Sequence, residues 1–162
     1  MEKEKINLLI VDDEEQFLKA ISRSLEMRDI NVIAVNRGEK AIEAARKYPI
    51  DVALVDLKMP GMDGQATLEA LKKEHQWMEI VILTGHATID SATACTRSGA
   101  YSYLQKPCEL EKLLETLISA YKQKVMNANK IEEKKLETMM HAAMSLSPRE
   151  ILARLKEIDM AG

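Results

Sequence analysis

Five short apolar runs recur along the first two thirds of the chain, and each stops at a polar or charged residue. Ile6-Asn7-Leu8-Leu9-Ile10-Val11 ends at Asp12-Asp13-Glu14-Glu15, and Asn31-Val32-Ile33-Ala34-Val35 ends at Asn36. Val52-Ala53-Leu54-Val55 delivers Asp56, Ile80-Val81-Ile82-Leu83 stops at Thr84-Gly85, and Tyr101-Ser102-Tyr103-Leu104 leads into Gln105-Lys106-Pro107. The most continuous of these runs predict strands covered on both faces, as in a parallel sheet.

The intervening segments change to a helical period. Phe17, Ile21 and Leu25 recur every fourth residue with Leu18 beside them, which makes one apolar helical face. Asn36, with Glu39 three residues on, predicts a capping box for a helix reaching Lys47, and Pro49 ends it. Helices are also expected over Gln65–Lys73, over Ile89–Arg97 with Ser98-Gly99 closing it, and after Pro107 through Leu110, Leu113, Leu114, Leu117 and Ile118.

Strands alternating with helices in this way predict an α/β fold, a parallel sheet covered by helices on both faces. The sheet size favours a doubly wound, flavodoxin-like strand order 2-1-3-4-5, and the length excludes an eight-fold barrel. From about Lys122 strand signals vanish. Gln123 to Ala143 holds no Gly or Pro and is expected to be helical, with apolar positions that follow a helical stripe only loosely. Ser147-Pro148-Arg149-Glu150 reads as a helix start, Ser at the cap, Pro first and Glu third, for a last helix carrying Ile151, Leu152, Leu155 and Ile158 on one side. The expected division is therefore 1–122 and a helical C-terminal extension, 123–162, with no complete output domain.

Composition narrows the class. With 46% apolar and 30% charged residues the chain is a soluble globular type, and a net charge of −3 offers no basic surface for nucleic acid. Cys95 and Cys108 have no ligand-like spacing, which fits a reducing, cytoplasmic setting. The apolar stretch before Asp12 is too short for a signal peptide or membrane span.

In a doubly wound sheet, ligands bind beyond the carboxyl ends of the strands. Those ends carry Asp12 and Asp13, Asp56, Thr84 and Lys106. In the expected order the first and third strands are neighbours, so three carboxylates converge. Alone they would repel one another and raise each other's pKa. A hard divalent cation resolves that conflict, and an all-oxygen site suits Mg²⁺. A carboxylate nucleophile beside a cation, with a hydroxyl and an ammonium near by, is equipped for an aspartyl-phosphate. None of His75, His86 and His141 has a partner at zinc-ligand spacing.

Asp12-Asp13, Asp56 within Val-Asp-Leu-Lys-Met-Pro-Gly-Met-Asp-Gly, Thr84-Gly85 and Lys106-Pro107 together resemble the signature of two-component response-regulator receiver domains, over about residues 5 to 122. Leu-Thr-Gly-His-Ala and Gly-Ala-Tyr-Ser-Tyr-Leu-Gln-Lys-Pro are similar to receivers of the nitrogen-regulatory, sigma-54-activator type (NtrC-like). The resemblance implies that Asp56 accepts a phosphoryl group from a sensor histidine kinase, a phosphotransfer protein or a small phosphodonor. Asp13, Asp56 and the backbone carbonyl of Lys58 would ligate Mg²⁺, with Asp12 acting mostly through water. Thr84 and Lys106 would hold phosphoryl oxygens, Tyr103 would be the switch aromatic, and Lys58 and His86 would tune dephosphorylation. Lys106-Pro107 falls where the family has a cis peptide.

The resemblance implies a signalling module, not an enzyme acting on an outside substrate, which signals by remodelling its fourth helix, fifth strand and fifth helix. That surface or the C-terminal helices could pair two copies. A flavin or nucleotide enzyme needs a phosphate loop after the first strand, where this chain places four acids. An aspartate phosphatase usually has a second Asp two residues after its nucleophile, where Lys58 stands. Three alternatives stay open: a DNA-binding transcriptional regulator, a piece of one lacking its output domain, and a scaffold or dimerisation module independent of phosphorylation. Leu146-Ser147-Pro148-Arg149-Glu150-Ile151-Leu152 resembles the opening of a LuxR-type helix-turn-helix, but about one helix of chain remains after it, which disfavours DNA binding. Met139, Met140 and Met144 form either an adaptable interface patch or a packing face.

Overall fold

The computed structural model describes residues 4–145 and 148–161. Among the described residues five strands and six helices follow one another: β1 (Asn7–Val11), α1 (Glu15–Glu26), β2 (Asn31–Val35), α2 (Gly38–Lys47), β3 (Val52–Val55), α3 (Gly64–Glu74), β4 (Glu79–Thr84), α4 (Ile89–Arg97), β5 (Ser102–Gln105), α5 (Leu110–Ser145) and α6 (Pro148–Ala161). All strand pairs are parallel, in the order β2-β1-β3-β4-β5, so the doubly wound arrangement expected from the sequence is the one found.

Strand side chains alternate between two cores, because successive Cβ atoms point to opposite faces. Leu9, Val11, Ala53, Val55, Ile80 and Ile82 face α2, α3 and α4, packing with Ala41, Ala44, Leu68, Leu71 and Cys95. Leu8, Ile10, Val52, Leu54, Val81 and Leu83 face α1 and the first part of α5, packing with Leu25, Leu113, Leu117 and Ala120. Both faces are covered, which explains why the strand runs lack polar alternation.

At the amino-terminal edge of the sheet Asp51 closes a polar floor. Its carboxylate accepts the Asn7 N–H at 2.8 Å and pairs with the Lys124 ammonium. Compact units divide after Lys124, so Lys124 ties the last turn of the first unit to β3. Across that division α5 is one continuous helix, because Gln123 to Ala143 contains nothing that stops one.

Some expected details differ. Glu39 does not cap α2: Arg37 holds the cap position without a side-chain bond, and the Glu39 carboxylate instead accepts the Met62 N–H at 3.0 Å. Glu39 stands second in the helix, not third, and the loop after β3 supplies a better-placed donor. β4 extends to include Glu79 and Thr84, and β5 begins at Ser102, not Tyr101. The proposed Ser147 cap lies outside the described residues, as do the side chains of Ile151, Leu155 and Ile158.

Candidate functional site

Register places the candidate residues. Val11 of β1 lies opposite Val55 of β3, so Asp12 and Asp56, one step further on, leave the sheet side by side. Backbone bonds lock both: the Asp12 N–H donates to Val35 O at 3.1 Å and the Asp56 N–H to Val11 O at 2.9 Å. Both residues are buried although they are acidic. Asp13 is exposed beside them, and one carboxylate oxygen from each of Asp12, Asp13 and Asp56 lies within 4.8 Å of the others.

Each buried carboxylate receives a local donor. Asp12 Oδ1 accepts the Glu14 N–H at 2.9 Å, and Asp56 Oδ1 accepts the Leu57 N–H at 2.8 Å. Lys106 supplies the compensating charge. Its ammonium donates to Asp12 Oδ2 at 2.6 Å and stands 3.9 Å from Asp56 Oδ2 and 3.7 Å from Glu14 Oε1. It also lies 4.1 Å from the centre of the Phe17 ring, a cation–π contact. Burial pushes the Asp12 carboxyl above the ordinary carboxylate value; the Lys106 bond, the Glu14 N–H and the Lys106 charge pull it back only partly, and Asp56 pushes it further up. A cation entering among the three carboxylates would relieve that penalty.

The other strand ends complete the rim. Thr84 is fully buried; its hydroxyl accepts the His86 N–H at 3.1 Å and donates no bond to a described residue. The Lys106 N–H donates to Thr84 O at 2.8 Å, and Lys106-Pro107 is cis, as the resemblance implied. An open groove of about 600 Å³ runs from Asp13 past Lys58, Asp63 and His86 to Thr88 and Ser91.

The loop between Asp56 and α3 folds back on its own strand end. The Gly64 N–H donates to Leu57 O at 2.8 Å, and a Cβ on Gly64 would lie 2.1 Å from Asp56 O. Gly61 takes φ +76°, which a glycine adopts without steric cost. Asp63 caps α3 by accepting the Ala66 N–H at 2.8 Å.

Tyr103 reaches α4 and not Thr84. Its phenol oxygen is 2.6 Å from Ser91 Oγ and accepts the Thr88 N–H at 3.4 Å. Thr88 and Ser91 form a capping box there: the Ser91 N–H donates to Thr88 Oγ1 at 3.0 Å and the Thr88 N–H to Ser91 Oγ at 3.2 Å. Asp12, Asp13, Asp56, Thr84 and Lys106 therefore come together at one edge; Lys58 and His86 line the adjoining groove, and Tyr103 stands one step back. Sequence reasoning missed Glu14 and Phe17 as neighbours of Lys106, and Thr88 and Ser91 as partners of Tyr103. Thr-x-x-Ser was a readable cap signal; nothing in the sequence pointed Phe17 at Lys106.

A sequence model described as "Response regulator receiver domain" matches residues 8–118. The chain is 32% identical over 123 residues to the DNA-binding transcriptional regulator NtrC of Escherichia coli K12, covering 74% of this chain and 26% of that protein. Against the transcriptional regulatory protein ZraR of Klebsiella oxytoca it is 32% identical over 120 residues, 74% of this chain and 27% of that one. The chain thus spans about a quarter of the length of these curated relatives. Two solved receiver domains superpose well. A CheY-like one from Methanospirillum hungatei has a TM-score of 0.74 at 25% identity, covering 76% of this chain and 99% of that one. One from Clostridium thermocellum has a TM-score of 0.71 at 30% identity, covering 75% and 98%.

Proposed function

The chain belongs to the response-regulator receiver family of two-component signalling, and from that premise we propose that Asp56 is its phosphoacceptor, loaded in the presence of Mg²⁺. The observation that carries this is the cluster of Asp12, Asp13 and Asp56 with Lys106 Nζ 3.9 Å from Asp56 Oδ2. The donor set is all oxygen and two of its members are buried, which fits a hard divalent cation. Asp13, Asp56 and the Lys58 carbonyl would hold Mg²⁺, with Asp12 one water further out. When bound, the ion supplies positive charge next to the transferring phosphoryl group.

In the reaction, an Asp56 oxygen forms the new O–P bond while the donor's bond to phosphorus breaks; the donor is a phosphohistidine of a sensor kinase or phosphotransfer protein, or an acyl phosphate. Asp56 Oδ1 is engaged by the Leu57 N–H, which leaves Oδ2, on the Lys106 side, as the attacking atom. Lys106 would exchange part of its Asp12 bond for a phosphoryl oxygen, and the unused Thr84 proton would serve a second one. Lys58 and His86 border the path of an attacking water in the groove and would set how long the phosphoryl group survives.

The phosphoryl group carries about −1.5 to −2 charges at neutral pH in place of the single carboxylate charge of Asp56, and its oxygens would draw Thr84 toward Asp56. Because Tyr103 holds the N-terminal turn of α4, that shift would be read out on the α4-β5-α5 surface as a change in population between two conformations. The protein acts on itself, and its partners are the phosphodonor and whatever reads that surface, in the cytoplasm. We assign residues up to about 122 to the receiver and 123–162 to a helical extension. No helix among the described residues is long and apolar enough to cross a membrane.

Incubation with acetyl phosphate and Mg²⁺, read by intact mass, should add one phosphoryl group to the wild type and none to Asp56→Asn. Labelling of Asp56→Asn to the same extent, or of neither protein, would overturn the assignment.

A further inference from the structure

The second half of α5 carries a charge pattern that the receiver reading does not use. From Lys130 to Glu137 the sequence is Lys-Ile-Glu-Glu-Lys-Lys-Leu-Glu. Read backward with every sign inverted, this octet reproduces itself: Lys130 maps onto Glu137, Ile131 onto Leu136, Glu132 onto Lys135 and Glu133 onto Lys134.

Lys130, Glu133, Lys134 and Glu137 are all exposed and share one face, being spaced i, i+3, i+4 and i+7. Along the helix the same stripe continues to Met126, 53% exposed, and to Met140 and Met144, 60% and 88% exposed. Within a single helix the arrangement is poor. Lys130 sits one turn from Lys134, and Glu133 one turn from Glu137, so like charges are neighbours at i, i+4. Opposite charges three residues apart do not compensate, since none of the four side chains is in an ion pair with a described residue.

We propose that this face is the contact surface for a second copy of the chain, packed antiparallel with the twofold axis between Glu133 and Lys134. In that pairing the two lysines of each copy meet the two glutamates of the other: Lys130 lies against the second copy's Glu137, and Lys134 against its Glu133. A twofold interface is self-complementary by construction, and this octet satisfies the requirement residue by residue. Met126 of each copy then falls beside Met140 of the other, so unbranched, adaptable side chains close both ends of the charged centre. A parallel pairing would set Lys130 on Lys130 and Glu133 on Glu133, and the pattern opposes it. Exposed ion pairs add little affinity, so the charges set orientation and register while the methionines supply the buried apolar area.

Sedimentation equilibrium on the full chain tests this without phosphorylation and independently of Asp56. The wild type should be dimeric, and the dimer should weaken in molar salt. Glu133→Lys/Glu137→Lys makes the face wholly positive and Lys130→Glu/Lys134→Glu makes it wholly negative. Each variant should be monomeric with unchanged circular dichroism, and an equimolar mixture should recover a heterodimer. Orientation is read separately: Lys130→Cys mixed with Glu137→Cys, each in a Cys108→Ser background, should give the mixed disulfide in preference to either homodisulfide. A monomeric wild type, a dimer untouched by either charge reversal, a mixture that stays monomeric, or preferential homodisulfides would each overturn the proposal.

Discussion

Lys106 is held on four sides, by Asp12, Glu14, Asp56 and the ring of Phe17. An ammonium so placed, with a side chain 13% exposed, is already positioned for the phosphoryl group we propose it binds. The carboxylate opposite it depends on a residue with no side chain. A Cβ on Gly64 would meet Asp56 O at 2.1 Å and Leu57 Cα at 2.6 Å, and both are backbone atoms that cannot rotate away. Gly64→Ala should therefore displace the segment that aims Asp56. We expect a loss of roughly 1–3 kcal/mol, as for other overpacked sites, together with slower labelling by acetyl phosphate. Denaturant midpoints and labelling rates check the two effects, and an unchanged midpoint would show that the loop has room to spare.

At the scale of elements, the start of α4 is tied to β5 by side chains. Thr88 and Ser91 cap it, and Tyr103 from β5 enters the same hydroxyl cluster. Tyr103→Phe should cost about 1 kcal/mol, the usual net worth of a hydrogen bond, and Ser91→Ala more, because it also removes the capping-box acceptor of the Thr88 N–H. Because both remove the same contact, the double variant should cost less than their sum. Chemical denaturation of the four proteins measures this, and strict additivity would mean that the two hydroxyls do not support one another. The same cluster shows what the sequence discloses and what it hides. Asp12, Asp56, Thr84 and Lys106 are legible because each stands at or just past the end of a strand run, and strand ends converge once the strand order is known. The cap of α2 was misread because Asn36-x-x-Glu39 has the right spacing while Glu39 finds its donor in a loop more than twenty residues away. Tyr103 could be placed on β5 but not aimed, since the hydroxyls it meets belong to an element whose position depends on tertiary packing. The continuity of α5 past Lys122 was hidden for another reason. A loosening apolar stripe reports a change in what the helix packs against, while the backbone responds only to propensity and continues.

For the whole molecule the two edges of the sheet make opposite demands. The carboxyl edge gathers the acids that we propose serve a cation and a phosphoryl group, whereas the amino edge must neutralise Asp51 and Glu79 for the fold alone. Asp51 has Lys124. Glu79 is buried at the start of β4, and burial holds its carboxyl above the ordinary value of 4.5, offset only in part by the charge of Lys72, which is itself fixed on the carbonyls of Gln76 and Met78. A carboxyl whose folded pKa lies above its unfolded one binds its proton more tightly in the folded state. Its contribution to stability is complete below about pH 4.5 and is lost as the pH rises through the folded value. At neutral pH the chain therefore carries Glu79 ionised at a cost, and Glu79→Gln, which keeps an amide able to hydrogen-bond, removes that cost. Melting temperatures should be higher for Glu79→Gln than for the wild type at pH 7, with the gap narrowing as the pH falls toward 4.5 and gone below it. The carboxyl edge titrates alike in both proteins, so the difference between their curves isolates the amino edge. A gap of constant size across the range would mean that the substitution acts through packing and not through the charge.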